Sequence, residues 1–194
     1  MKYPKFFDEH KITMKEPLGD VLGAFEDGIV NYTYLDVVKL SGHSCPTVSS
    51  TFAMISVGLN KLYGNDLPIR GDIKVTIQGA KEDGAVGVIA NVASYITGAC
   101  DEGGFKGFGG KSSRNNLLKF NSNIDAEIIL SSVSKGNSVT LSANLDKVET
   151  PKKLNYYTQK VFSKNASDDE KKMFALLWQE KVKNVLATDI VNSN

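Results

Sequence analysis

The chain has 194 residues, with 23 basic and 22 acidic side chains and a formal net charge of +1. This balance lacks the excess of positive charge found in nucleic-acid-binding proteins and polybasic membrane anchors, so we expect neither kind of partner. No stretch approaches the ~20 apolar residues of a membrane span, and prolines and charges interrupt the N-terminus where a secretory signal would be apolar. We therefore predict a cytoplasmic protein that forms one domain over residues 1–194 and whose partner is a small molecule.

The first predicted elements alternate between helix and strand. Apolar residues recur at every third or fourth position from 18 to 25, which predicts a short amphipathic helix within residues 16–28, with Gly28 at its end. Residues 29–36 are predicted to form a strand. Residues 35–42 are predicted to form one or two helical turns that end at Gly42.

A longer helix is predicted for residues 46–63. Its apolar residues recur at steps of three and four along one stripe, and Gly64 follows its last turn. Proline is favoured at the first helical position because its missing N–H has no helical partner there, so Pro46 marks the start. Cys45 is then the N-cap residue, and His43 lies just outside the helix.

The second half of the chain completes the predicted sheet. Residues 71–78 alternate apolar and polar residues as a half-buried strand does, and 126–132 with 137–146 predict a pair of strands joined by a tight turn. Periodicity leaves helix and strand open for 84–100, and we favour a buried helix at 87–97. A capping-box spacing begins a C-terminal helix at 167–188. The predicted fold is α+β: a largely antiparallel sheet packed by helices, with the C-terminal helix docked on it.

His43 and Cys45 stand two positions apart in a chain with only two histidines and two cysteines. A helix N-terminus favours thiolate over thiol, and thiolate binds metals and attacks electrophiles. Neutral imidazole is a frequent companion ligand, or it can take the proton of the cysteine. The structural alternative is that Cys45 is a small buried hydrophobe and His43 a helix cap.

Two ligands do not complete a zinc site. Tetrahedral zinc takes four, so the others would come from distant residues, a second chain, solvent or substrate, and Asp36, Cys100 and His10 are the ligand types available. The two cysteines are too few for a disulfide scaffold, and the absence of a Cys-x-x-Cys pair excludes a zinc ribbon.

A glycine-rich segment at 98–116 carries the second candidate site. Six glycines between 98 and 110 surround Lys106, and Lys111 and Arg114 follow. Glycines let backbone N–H groups approach a ligand, and Lys106 and Arg114 would attract a carboxylate or phosphate. The spacing fits neither a Walker loop nor a dinucleotide-binding loop. The alternative is a turn-rich connector whose cations are merely solvated.

Three segments of the chain carry a family resemblance: LDVVKLSGHSCPTVSSTFAM, GVIANVASYITGACDEGGFKGFGGKSSRNNLL and FALLWQEKVKNVL. They resemble the core of the FmdE-like family, the proteins grouped with formylmethanofuran dehydrogenase, over about residues 17–188, and Gly-His-x-Cys-Pro is the most specific part. The resemblance implies an α+β core at about 17–150 that forms homodimers, with a metal or active site around His43 and Cys45. Some members add a C-terminal zinc finger, for which this chain lacks the cysteines.

The resemblance points to one-carbon metabolism but supports the site more than a reaction, because formylmethanofuran oxidation is a molybdenum or tungsten pterin reaction carried by other polypeptides of that enzyme. The first hypothesis is an enzyme acting on a small anionic molecule. His43 and Cys45 then hold a divalent transition metal, zinc by default, or act as base and nucleophile, while Lys106 and Arg114 orient the anionic group. The alternative is a non-catalytic metal carrier or an accessory component of a redox complex. A site facing a pocket favours the enzyme, and a solvent-exposed site favours the carrier.

Overall fold

The computed structural model describes residues 3–121 and 123–194, which fold into helices and two sheets. The helices are α1 (Pro17–Val21), α2 (Tyr34–Ser41), α3 (Pro46–Tyr63), α4 (Val86–Thr97), α5 (Leu154–Phe162) and α6 (Asp168–Ala187). The strands are β1 (Lys11–Lys15), β2 (Ile29–Thr33), β3 (Ile73–Gln78), β4 (Leu118–Asn121), β5 (Ile128–Ser132), β6 (Ser138–Ala143) and β7 (Val191–Ser193). No helix in these ranges is both long and apolar enough to cross a membrane.

Both sheets are mainly antiparallel. β1 and β2 form a two-stranded antiparallel sheet, and the second sheet has the order β4-β3-β5-β6-β7. β3 and β4 are its one parallel pair in the described chain, because the connection between them passes through α4 rather than a tight turn. The predicted α+β class with a largely antiparallel sheet is confirmed.

The core lies between the larger sheet and α3. β3 alternates buried and outward-facing residues, so Ile73, Val75 and Ile77 all point into the core. Gly58 lets α3 approach the sheet closely: a Cβ there would lie 2.6 Å from Leu141 Cδ1 and 2.7 Å from Leu130 Cδ1. α4 covers the same core beside α2 and α3.

The predicted long helix and C-terminal helix are confirmed. α3 spans 46–63 as expected, and the buried helix predicted at 87–97 is α4. In α6 the hydroxyl of Ser167 accepts from the Glu170 amide, and the Glu170 carboxylate accepts in return from the Ser167 amide, which forms the predicted capping box. α6 docks through buried Val182 and Val185.

Two local predictions need correction, and one helix was missed. The helix predicted within 16–28 is only the five-residue α1, because Gly23 takes a positive φ of 71° and turns the chain. The strand at 29–36 ends at Thr33, since Thr33 and Asp36 form a capping box that begins α2. α5 was not predicted: its side chains make no cap at the N-terminus, and it packs along α6.

Candidate functional site

Two helix ends position the Gly-His-Ser-Cys-Pro segment. α2 ends at Gly42, whose φ of 71° reverses the chain direction, and Pro46 then opens α3. Cys45 has the extended backbone of an N-cap residue, with φ −146° and ψ 168°. The predicted placement of Cys45 at the N-cap and His43 just before the helix is therefore confirmed.

The His43 imidazole is exposed and has one fixed hydrogen bond. Its Nδ1 lies 2.8 Å from the carbonyl oxygen of Ser41. A carbonyl can only accept, so Nδ1 donates the proton and the lone pair of a neutral ring is on Nε2. This arrangement, with one ring nitrogen bound to a backbone carbonyl and the other free, is the one that metal-binding histidines use.

Ser44, between His43 and Cys45, is buried and held from two sides. Its hydroxyl lies 3.0 Å from the hydroxyl of Tyr34 in α2, and its carbonyl accepts a hydrogen bond of 2.8 Å from Trp178 Nε1 in α6. The sequence alone did not identify Trp178 as a contact of the motif. The available signal was a single tryptophan on an amphipathic helix, since a buried indole N–H usually finds an acceptor.

Tyr34 keeps its hydroxyl protonated beneath the motif. Burial raises the pKa of this fully buried phenol far above its ordinary value, although the hydrogen bond with Ser44 acts in the opposite direction. The ring packs edge-on against Phe7 and Phe52, with centroid distances of 5.3 and 5.6 Å. Tyr34 is thus a neutral, rigid support for Ser44.

The Cys45 thiol is half-buried at the edge of the core. Its side chain makes no capping hydrogen bond to the helix, whereas its carbonyl accepts from the amide and the hydroxyl of Ser49 at 3.0 and 3.1 Å. Within the described residues, the thiol is free of protein partners that would compete with a metal or an electrophile.

The other candidate ligands lie in different surroundings. Asp36 is used in the α2 capping box, where it accepts from the Thr33 amide at 2.9 Å. His10 lines a cavity of about 260 Å³ with Asp189, and Cys100 lines one of about 450 Å³ between α4 and β4. Within residues 3–121 and 123–194, no group of three or more His, Cys, Asp or Glu side chains is arranged to hold a metal ion.

Two buried side-chain oxygens have no hydrogen-bond partner in the described chain. They are Ser41 Oγ and Gln179 Oε1. The carbonyl of Ser41 accepts the hydrogen bond from His43 Nδ1. Gln179 follows Trp178, whose indole N–H donates to the Ser44 carbonyl. Buried polar side chains are nearly always paired, and a water molecule is the usual partner of such oxygens.

The two predicted anion-binding cations differ in exposure. Lys106 is exposed on the glycine-rich segment. Arg114 is 7% exposed, and its Nη2 donates to Glu16 Oε1 at 2.5 Å while its Nη1 donates to the Arg70 carbonyl. Arg70 also donates to Glu16, so an ion-pair cluster that the sequence did not reveal engages Arg114.

No protein-family model and no curated protein matches the chain.

Proposed function

We propose that this chain is a metal-binding protein in which His43 Nε2 and Cys45 Sγ bind a divalent transition metal, zinc by default, and that it is an enzyme acting on a small anionic molecule. The observation that carries the proposal is the hydrogen bond from His43 Nδ1 to the Ser41 carbonyl, because it leaves Nε2 free two residues before an unpaired cysteine. A soft thiolate with an imidazole selects zinc and its neighbours over magnesium or calcium.

Two protein ligands leave the remaining positions to water, substrate or a second chain. We propose a homodimer, as the resemblance to the FmdE-like family implies. Light scattering at micromolar concentration tests it, and a mass near the 21.1 kDa of one chain would contradict it.

The chain's own groups have defined roles in this proposal. The metal would supply Lewis-acid activation of a bound substrate or water. Cys45 and His43 hold the metal, or in its absence act as nucleophile and base. Ser44, which is hydrogen-bonded to Tyr34 and Trp178, holds the backbone of the two ligands in a fixed relative position. Arg114, which lines a small cavity, supplies positive charge for the anionic group, and Lys106, which is exposed and does not line that cavity, adds positive charge from the surface.

The exposure of His43 favours one alternative, which is a non-catalytic metal carrier or an accessory component of a redox complex. A carrier must pass its metal to an acceptor, which an exposed two-ligand site allows. Zinc transfer to a stronger chelator within the mixing time would favour the carrier. Slow release, over minutes or longer, would favour the enzyme.

Metal content by mass spectrometry tests the site. We expect one metal per chain in the wild type and a loss of most of it in Cys45→Ser and His43→Ala. Circular dichroism should be unchanged in both, because serine is a good N-cap and His43 is an exposed residue outside the helix. Cys100→Ser is the matched control and should keep its metal. Equal metal content in all four proteins would refute the site. A folded wild type that never takes up metal would favour the cysteine nucleophile.

A further inference from the structure

The chain contains only two arginines among its 23 basic residues, and both meet at one carboxylate. Arg114 Nη2 donates to Glu16 Oε1 at 2.5 Å, and Arg70 Nη1 donates to Glu16 Oε2 at 2.9 Å. They come from positions 98 and 54 residues away from Glu16 in the sequence. Arginine, unlike lysine, presents a planar fork of N–H donors that suits paired oxygens, so two arginines at this point favour contact with carboxylate oxygens.

The cluster carries one positive charge in excess. Two guanidinium groups share one carboxylate, and the side chains of Glu16 and Arg114 are each 8% exposed, while that of Arg70 is 22% exposed. A partly buried charge without a counter-charge is unfavourable, so the surplus favours a further anion close by.

Several guanidinium donors remain free for such an anion. In the described chain, Arg114 uses two of its five N–H donors, one on Glu16 and one on the Arg70 carbonyl. Arg70 uses three, on Glu16 and on the carbonyls of Tyr95 and Ile96. Both orientations are fixed by these bonds, which removes the entropy cost of ordering long side chains when a ligand binds.

A cavity of about 180 Å³ opens beside these donors. Arg70, Arg114, Gly71 and Ser112 are among its lining residues. One water needs only roughly 10–15 Å³ of such volume, so a small anion and several waters fit. The Arg114 guanidinium lies against the Gly71 backbone, where a Cβ would be 1.1 Å from Nη1.

The one carboxylate on the cavity lining is engaged elsewhere. Asp72 accepts from the hydroxyls of Tyr63, Ser132 and Ser134 and from the Ser134 amide, at 2.7–2.9 Å. Its charge is therefore directed to the β5–β6 turn rather than to the arginines.

We propose that Arg70 and Arg114 bind a small monocarboxylate in this cavity. A single excess charge matches a carboxylate better than a phosphate dianion, and two guanidinium forks can each donate to its paired oxygens. The inference rests on the anionic-substrate part of the proposed function and deepens it. It does not require the metal site, because none of the residues that line this cavity is His43 or Cys45.

Acetate is the probe and is titrated into the full-length protein, replacing chloride so that the ionic strength stays constant. Binding is followed by ¹³C NMR of labelled acetate. We expect saturable one-to-one binding, weakened about tenfold or more in Arg70→Lys, as loss of a charge-assisted hydrogen bond predicts. Ser112→Asp should also abolish acetate binding, because its own carboxylate fills the cavity. Ser112 has a φ of 57°, which aspartate tolerates. Lys119→Ala, at an exposed lysine of β4, is the charge-matched control and should bind as the wild type does.

Any one of three results would overturn the proposal. They are no saturable binding of acetate, equal acetate binding by wild type and folded Ser112→Asp, and tighter binding of phosphate than of acetate. Metal content separates this result from the metal site: Ser112→Asp should keep its metal even when acetate binding is lost. Conversely, Cys45→Ser should keep acetate binding.

Discussion

Trp178→Phe tests whether the C-terminal helix supports the motif. Phenylalanine keeps the aromatic contact with Phe174, whose ring centroid is 5.6 Å away, but removes the 2.8 Å hydrogen bond to the Ser44 carbonyl. Ser44 is 8% exposed, so water replaces the lost donor poorly. The expected loss in free energy of unfolding is about 1–3 kcal/mol. Zinc affinity should fall about tenfold, because support of this kind holds metal ligands in position.

Urea unfolding followed by circular dichroism measures the stability, and competition with a chromophoric chelator measures zinc affinity. Leu176→Ala, at a residue 66% exposed on the same helix, is the control and should change neither. Tyr34→Phe removes the second bond to Ser44, so the double variant should be non-additive by at least about 0.5 kcal/mol. A Trp178→Phe protein with wild-type stability and wild-type zinc affinity would refute the reasoning.

Three further predictions concern stability, each measured by urea denaturation. Gly71→Ala should cost about 3 kcal/mol or more, since the new Cβ displaces Arg114 from Glu16 and breaks a buried ion pair; a wild-type midpoint would contradict this contact. Gly58→Ala should lower the midpoint, because overpacking against Leu130 costs about 1–3 kcal/mol and outweighs a helix-propensity gain of about 1 kcal/mol; a higher midpoint would show that the sheet relaxes. Burial alone would raise the pKa of Asp72, but hydrogen bonds from Ser134, Tyr63 and Ser132 outweigh it and lower the pKa below its ordinary value. The ionised form therefore stabilises the fold above the ordinary pKa, and this contribution is lost as pH falls through the lowered one. Asp72→Asn should make the free energy of unfolding depend less on pH in the acid range. An unchanged slope would show that Asp72 does not contribute.

Local rules in the sequence determined the helix at the motif. Pro46 fixes the first helical φ, the apolar stripe gives one buried side, and Gly64 follows the last turn, so α3 and the N-cap position of Cys45 were predictable. The same holds for the α6 capping box and for the β5–β6 pair, where alternation and a turn glycine act within a few residues. Such signals are encoded between neighbours and do not depend on the rest of the fold.

Only the tertiary structure decided which distant groups meet. The bonds from Tyr34 and Trp178 to Ser44 join residues 10 and 134 positions apart, and the pairing of Arg114 with Glu16 spans 98. No periodicity or spacing rule reaches across such separations, because these partners are set by how α6 packs against Ser44 and how the glycine-rich segment packs against the end of β1. Arg114 was identified from sequence as a cation among glycines. Its counter-charge, and the role of Arg70 beside it, required the fold, since a buried ion pair forms wherever packing removes both partners from water.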